Sequence, residues 1–202
     1  MHPNFYEEKK LWRTGYRAIA GVDEVGYGAW AGPVVAGAVI LSPGVRIPGV
    51  RDSKQLSPRA RSALFPRIIE QARAWSVGIV AADVVDRIGV AAANHRAMRQ
   101  ALVQLSCTPD IVLIDAIALQ WNVPCHAMPD GDGRVLSIAA ASIVAKVWRD
   151  HLMLCWQNTF PIYGFGAHKG YGTKEHERMI RRHGLSVLHR RSFVPERCIS
   201  RN

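Results

Sequence analysis

Apolar residues fall into short runs separated by glycines, prolines and charged positions, and the period within each run predicts an element. Residues 18–25 (AIAGVDEV) are short, apolar and β-compatible, and residues 34–41 (VVAGAVIL) are rich in β-branched side chains. The two read as strands of a hairpin joined across residues 26–33. Ahead of them, residues 4–16 mix aromatic and charged positions and predict a short helix. Residues 42–57 hold Pro43, Gly44, Pro48 and Gly49, a loop by its breakers, which carries Asp52, Ser53 and Lys54. Ser57 suits a helix N-cap and Pro58 its first turn, so residues 59–73 continue as an amphipathic helix despite Pro66. A third strand is expected over 74–82, a helical turn over 84–87, a helix over 90–105, and a buried strand over 110–115 (DIVLID) that ends in an acid.

The strongest helical period runs over residues 136–158. Leu136, Ala139, Ile143, Val147 and Leu154 form an apolar stripe, and Asp150 falls inside it, about 20° from Ile143. A carboxylate on that face needs a partner, and Ser142, Lys146 and Arg149 give the face a polar margin. Residues 129–133 read as a loop, and residues 161–173 (PIYGFGAHKGYGT) as an exposed one, after which Thr173 can cap a helix over 174–182. Strands alternating with helices after an opening hairpin indicate an α/β fold with a mixed sheet. The expected organisation is one domain over residues 1–202, with residues 160–202 able to form a small C-terminal lobe.

Charge narrows the partners. The 202-residue chain has a formal net charge of +10 and a pI near 10.0, which favours an anionic partner such as nucleic acid or a membrane surface. The longest apolar stretch, residues 29–41, is broken by Gly32, Pro33 and Gly37 and is too short to span a bilayer. The polar opening MHPNFYEEKK gives no expectation of a secretory leader. Four cysteines, Cys107, Cys125, Cys155 and Cys198, lack any CxxC pair, so reduced thiols in a cytoplasmic protein are expected rather than disulfides or a zinc site.

The candidate chemistry lies in acids where apolar runs end. Asp23 and Glu24 close the first strand, Asp115 closes another, and Asp150 interrupts a helix's apolar stripe. Strand ends of an open α/β sheet are where such folds place their sites. Carboxylates gathered in that number repel one another unless divalent cations lie between them, and hard oxygen ligands suit Mg²⁺ or Mn²⁺. The competing reading is a set of surface or capping acids on a basic protein. Adjacent strand residues face opposite ways, so Asp23 and Glu24 reach one ion only if the strand breaks near Gly26 or Glu24 offers its backbone carbonyl.

Residues 26–31 (GYGAWA) match the G-x-G-x-x-A dinucleotide fingerprint, but Pro33 and a following strand deny it the required helix, and the acids before it would repel a pyrophosphate. Tyr27, Tyr163, Phe165 and Tyr171, among lysines and arginines, fit either base and sugar stacking or plain loop anchoring. His168, His176, His183 and His189 lack the HExxH spacing and read as structural or solvated, with one open to proton transfer. Neither a G-x-S-x-G elbow nor a P-loop is present.

Taken together, AGVDEVGYGAWAGPVVAGAVIL, RDSKQLS, VLIDA, SIAAASIVAKVWRD, YGFGAHKGYGTKEH and HRRSF, in this order and spacing, closely resemble the bacterial ribonuclease HII (type 2 ribonuclease H) family over residues 18–197. The resemblance implies a ribonuclease H-like fold: a five-stranded mixed sheet flanked by helices, with a C-terminal helical segment that grips a duplex. It implies hydrolysis of the RNA strand of RNA/DNA hybrids and cutting 5′ of ribonucleotides in duplex DNA, by two Mg²⁺ or Mn²⁺ ions. Carried over by position, Asp23, Glu24, Asp115 and Asp150 match the family's metal-binding acids. Gly26, Tyr27 and Gly28 match the turn that reads the ribose 2′-hydroxyl, and Lys54, Ser142 and Lys146 match phosphate-facing positions. Tyr171 matches the tyrosine that stacks on the deoxyribose beside the RNA-to-DNA junction. Tyr27 replaces the family's arginine and Ala116 its glycine, so junction recognition would lean on backbone groups. A monomer is expected, and the residues do not speak to a sliding-clamp contact. The alternatives are an inactive nucleic-acid-binding relative and a DNA nuclease or strand-transferase of the same fold class.

Overall fold

The computed structural model describes residues 2–199. An amphipathic helix, α1 (Tyr6–Arg13), precedes the antiparallel hairpin β1 (Ile19–Val25) and β2 (Val34–Leu41). The chain continues through α2 (Pro58–Gln71), β3 (Ala72–Val80), α3 (Ala82–Ile88), α4 (Val90–Val103), β4 (Ile111–Asp115), β5 (Cys125–Met128) and the short helix α5 (Gly131–Arg134). The long helix α6 (Leu136–Thr159), the turn-length α7 (Phe165–His168) and α8 (Lys174–His183) follow. Ser57 Oγ accepts the Ala60 N–H at 3.2 Å and Thr173 Oγ1 the His176 N–H at 3.2 Å, so both expected caps form.

The five strands form one mixed sheet in the order β3-β2-β1-β4-β5, with β1 parallel to β4 and antiparallel to β2. Helices cover both faces, which is why β2 is buried along its whole length and reads as an unbroken apolar run. On one face Ala20, Val22, Ala36, Ala38 and Ile40 pack against α4 through Ala97, Met98 and Ala101. On the other, Val39 and Leu41 meet Leu64 and Ile68 of α2 and Ala140 and Ile143 of α6. Helix α6 lies directly on the sheet backbone: a Cβ on Gly21 would come within 2.2 Å of the Ser137 carbonyl carbon, and one on Gly37 within 2.4 Å of Ala141 O. Its first turn is pinned by buried Glu8 of α1, whose Oε1 accepts the Ser137 N–H at 3.0 Å and the Ser137 hydroxyl at 2.9 Å, an anionic cap at a helix N-terminus.

Expectations change in several places, the first at residues 129–133, where the loop gives way at Gly131 to the one-turn helix α5. Residues 125–128 form an edge strand that no hydrophobic period announces, because only a few of its positions are covered. Residues 161–173 are not an exposed loop: Tyr163 and Phe165 are buried in a cluster with Ala31 and Met153, so these two aromatics anchor the segment rather than offering faces for stacking. Leu154, placed in the apolar stripe, is half exposed because α6 has by then run past the sheet. Among the described residues no helix is long and apolar enough to cross a membrane.

Candidate active site

The parallel register pairs Val22 of β1 with Ile114 of β4, so the next residues, Asp23 and Asp115, emerge side by side at the carboxyl ends of the two central strands. Strand β5 runs parallel to β4 with Met128 opposite Asp115, and the chain then turns through Asp130, in a left-handed conformation (φ 52°), into α5. That turn brings Asp132 back over the strand ends. One carboxylate oxygen from each of Asp23, Asp115 and Asp132 lies within 4.8 Å of the others, the one such group among the described residues. Asp115 Oδ1 also accepts the Gly131 N–H at 2.7 Å, fixing the turn to the strand.

Asp23 and Asp132 are buried. Burial, then the charges of Glu24 and Asp115, push the Asp23 carboxyl well above the usual carboxylate range, although the Ser142 hydroxyl and the Glu24 N–H pull the other way. Burial likewise raises Asp132, against the opposing charge of Lys54. Such a group of carboxylates is held ionised when a cation sits among them. Its all-oxygen donor set fits a hard divalent ion, not a thiolate-seeking one.

Glu24 points to the other face of β1, as strand alternation requires, and its carboxyl is raised by burial and by Asp115. There it lies against Asn94 of α4, whose amide favours the charged form. Asn94 is fully buried, and neither its Nδ2 nor its Oδ1 completes a hydrogen bond. Lys54, with its side chain largely exposed, reaches over the acids to within 3.5 Å of Asp132 Oδ2.

Asp150 is not brought to this cluster. Its carboxylate pairs with Lys146 at 2.8 Å and with Arg61 of α2 at 3.7 Å. Asp150 is about 12 Å farther along the α6 axis than Ser142, the residue that touches Asp23. Arg61 in turn donates to Ser53 O at 2.8 Å and Leu56 O at 2.6 Å, so Asp150 braces the turn that carries Lys54. The fourth carboxylate near the strand ends is Asp132, which lies in a segment that reads as a loop; an acid between two glycines directly before the strongest helix is the signal the sequence offers for it. Ser142 is also buried, 2.9 Å from Ser53 Oγ, and supports Asp23 rather than facing outward.

The Gly26–Gly28 turn is held from behind by two buried arginines. Arg149 donates to Pro33 O (3.0 Å), Ala31 O (3.1 Å) and Lys169 O (2.9 Å), while Arg190 donates to Gly32 O (2.9 Å) and Tyr27 O (3.0 Å). Gly26 has φ +88°, and a Cβ there would meet Arg149 Nε at 2.2 Å, so only glycine fits. The Tyr27 side chain is left exposed. Tyr171 is exposed as well, with Arg149 Cζ 5.3 Å and Lys146 Nζ 5.9 Å from its ring centre. A cavity of about 440 Å³ opens between Tyr171, Lys146, Asp150, Arg61 and Lys169. Three cations, Arg61, Lys146 and Lys169, line this recess around Asp150.

The chain is similar to known proteins over nearly its whole length. The family described as Ribonuclease HII matches residues 20–195. A Ribonuclease HII from Solibacter usitatus is 51% identical over 194 residues, covering 96% of this chain and 85% of its own length. One from Roseiflexus castenholzii is 50% identical, covering 96% of this chain and 89% of its own. Among solved structures, the ribonuclease H2 of Pyrococcus horikoshii superposes with a TM-score of 0.73 at 25% identity, covering 87% of this chain and 93% of its own. The mixed five-stranded sheet, the acids at its central strand ends and a match extending over nearly all of the described residues lead to one assignment: the chain belongs to the ribonuclease HII family and is a ribonuclease H enzyme.

Proposed function

We propose that this enzyme hydrolyses the RNA strand of RNA/DNA hybrids and cuts on the 5′ side of ribonucleotides embedded in duplex DNA, leaving 3′-hydroxyl and 5′-phosphate ends. The observation that carries this reading is the convergence of Asp23, Asp115 and Asp132 at the strand ends, under Lys54. In the proposed mechanism these three carboxylates would hold two divalent ions, Mg²⁺ or Mn²⁺, with Asp132 in the place that the resemblance gives to Asp150. When bound, such ions activate water and steady the leaving oxygen of a phosphodiester in line. The protein's own part is positioning. Lys54 orients phosphates as an exposed cation and Lys146 as one held in place by Asp150, Ser142 and the Glu24 N–H orient Asp23, and the Gly26–Gly28 backbone approaches the ribose closely enough to sense its 2′-hydroxyl. Tyr171 stacks on the adjoining deoxyribose. The reading extends to a cytoplasmic monomer, supported by four free thiols, which suit a reducing compartment.

Cleavage of a labelled DNA duplex containing one ribonucleotide, with Mg²⁺, Mn²⁺ or chelator, tests this directly. A metal-dependent cut 5′ of the ribonucleotide, absent in Asp115→Asn and absent from all-DNA duplex, is the expected result. An intact ribonucleotide duplex beside a cleaved long hybrid would remove junction cutting from the proposal; binding without any cleavage would remove catalysis.

A further inference from the structure

Three histidines are packed behind Tyr171 with no role in the chemistry above. His176 is fully buried and His189 nearly so. The His168 and His176 rings stack 4.2 Å apart at 17°. Each has partners that leave a single neutral tautomer. His168 Nε2–H donates to Tyr163 O at 2.7 Å, so its Nδ1 is free to accept the Gly170 N–H at 3.1 Å. His176 Nδ1–H donates to Tyr171 O at 3.0 Å, which leaves its Nε2 as an acceptor. The donor to that nitrogen, 3.0 Å away, is His189 Nε2–H, because His189 Nδ1 already accepts the Ser186 N–H at 2.9 Å.

The chain therefore ends on Tyr171 from both sides. One imidazole accepts the N–H of the residue before it, the other donates to its own carbonyl, and Tyr171 N–H is held at 3.0 Å by His168 O. This segment needs such restraint: Lys169 and Gly170 both have positive φ, 53° and 83°, a strained placement for the lysine. Burial disfavours a charge on any of the three rings, and for His176 and His189 it pushes the pKa down to about 3 and about 4, in keeping with the neutral tautomers the geometry requires.

We infer that His168 and His176 are positioning residues for Tyr171, clamping the peptide groups on either side of it so that its ring stays presented beside Lys146 and Arg149 to a nucleic-acid sugar. The inference rests on the proposed contact between Tyr171 and substrate, and the clamp itself can be tested apart from that contact.

Two substitutions that delete the same ring separate the clamp from packing. In His176→Asn the side-chain amide nitrogen overlays Nδ1 and can still donate to Tyr171 O. In His176→Gln the polar atoms lie out at Nε2, where they meet His189 but cannot reach Tyr171 O. Two readouts are taken: hydrogen exchange at the Gly170 and Tyr171 amides, and fluorescence anisotropy of a labelled duplex with one ribonucleotide in Ca²⁺, where binding is read without turnover. His176→Gln is expected to speed exchange roughly tenfold or more and to weaken binding roughly fivefold or more. His176→Asn is expected to stay within about twofold of the parent in both. Added to Tyr171→Ala, His176→Gln should weaken binding no further. Equal effects of the two substitutions, or unchanged exchange in His176→Gln, would overturn the clamp. Parent-like binding by Tyr171→Ala would instead overturn the sugar contact, while exchange still decides the clamp. If neither His176 variant folds, the pair His168→Asn, which keeps an acceptor for the Gly170 N–H, and His168→Gln, which does not, decides by the same criteria.

Discussion

Asp132 and Asp150 carry the same functional group in opposite company. Asp132 stands among carboxylates with one lysine across from it, and Asp150 stands between two cations. A carboxylate among carboxylates is relieved by a proton or a divalent ion; a carboxylate between cations has its charge already balanced. Asp132→Asn is therefore expected to lower cleavage and Mn²⁺ affinity on the order of 10²-fold, whereas Asp150→Asn should leave Mn²⁺ affinity within about twofold, as read by electron paramagnetic resonance titration. An equal loss of Mn²⁺ affinity in both would return Asp150 to the metal site. The crowded acids also oppose folding without a cation. Mn²⁺ at about a hundred times its Kd should add ~2.7 kcal/mol to the parent's stability, a rise of roughly 5–10 °C in Tm by calorimetry for a chain of this size, and Asp23→Asn should abolish most of that shift.

Helix α6 supplies Ser142 to Asp23, Lys146 and Asp150 to the recess, and Arg149 to the Gly26 turn. Its height above the sheet therefore sets the whole site. That height depends on Gly21 and Gly37, where the helix backbone rests on strands without side chains between them. Gly37→Ala would place a methyl 2.4 Å from Ala141 O, and a backbone atom cannot swing aside as a side-chain end can. Urea unfolding should show a loss of about 3 kcal/mol or more. Gly28→Ala, where a Cβ would meet nothing within 4 Å, should unfold within about 0.5 kcal/mol of the parent.

Taken as a body, the molecule buries two populations of ionisable groups that respond to pH with opposite signs. Raised carboxyls such as Asp23, Asp132 and Glu8 are easier to bury protonated, so acid relieves them. The buried histidines are the reverse. His176 at about 3 and His189 at about 4 lie below the unfolded value of 6.5. Their contribution is full above pH 6.5 and is lost as pH falls, toward 4 for His189 and toward 3 for His176, by at most ~1.4 kcal/mol per unit for each ring. The difference in unfolding free energy between parent and His176→Asn isolates this term from the acids. It should shrink steadily between pH 7 and pH 4.5; a constant difference would mean that the ring's protonation does not matter to folding.

Much was readable from the chain alone, because the relevant physics is local. Period-2 and period-3.6 runs, the Ser57 and Thr173 caps and the glycine breaks place β1, β2, α2, α4, α6 and α8 to within a few residues, since backbone geometry and burial impose them at short range. Asp23 and Asp115 stand out for the same reason, as acids closing apolar strands, and the ordered motifs carry the family. What the chain alone could not yield depends on contacts between distant segments. Strand β5 is defined by β4 rather than by its own period. Asp132 joins the acids only because β5 delivers the α5 turn to the strand ends. Asp150 leaves them because a helix rises about 1.5 Å per residue and carries it past the site, and Tyr163 and Phe165 become core only once the C-terminal segment folds against Met153 and Ala31. Residue type sets what a side chain can do, and the folded neighbours set its charge balance and reach.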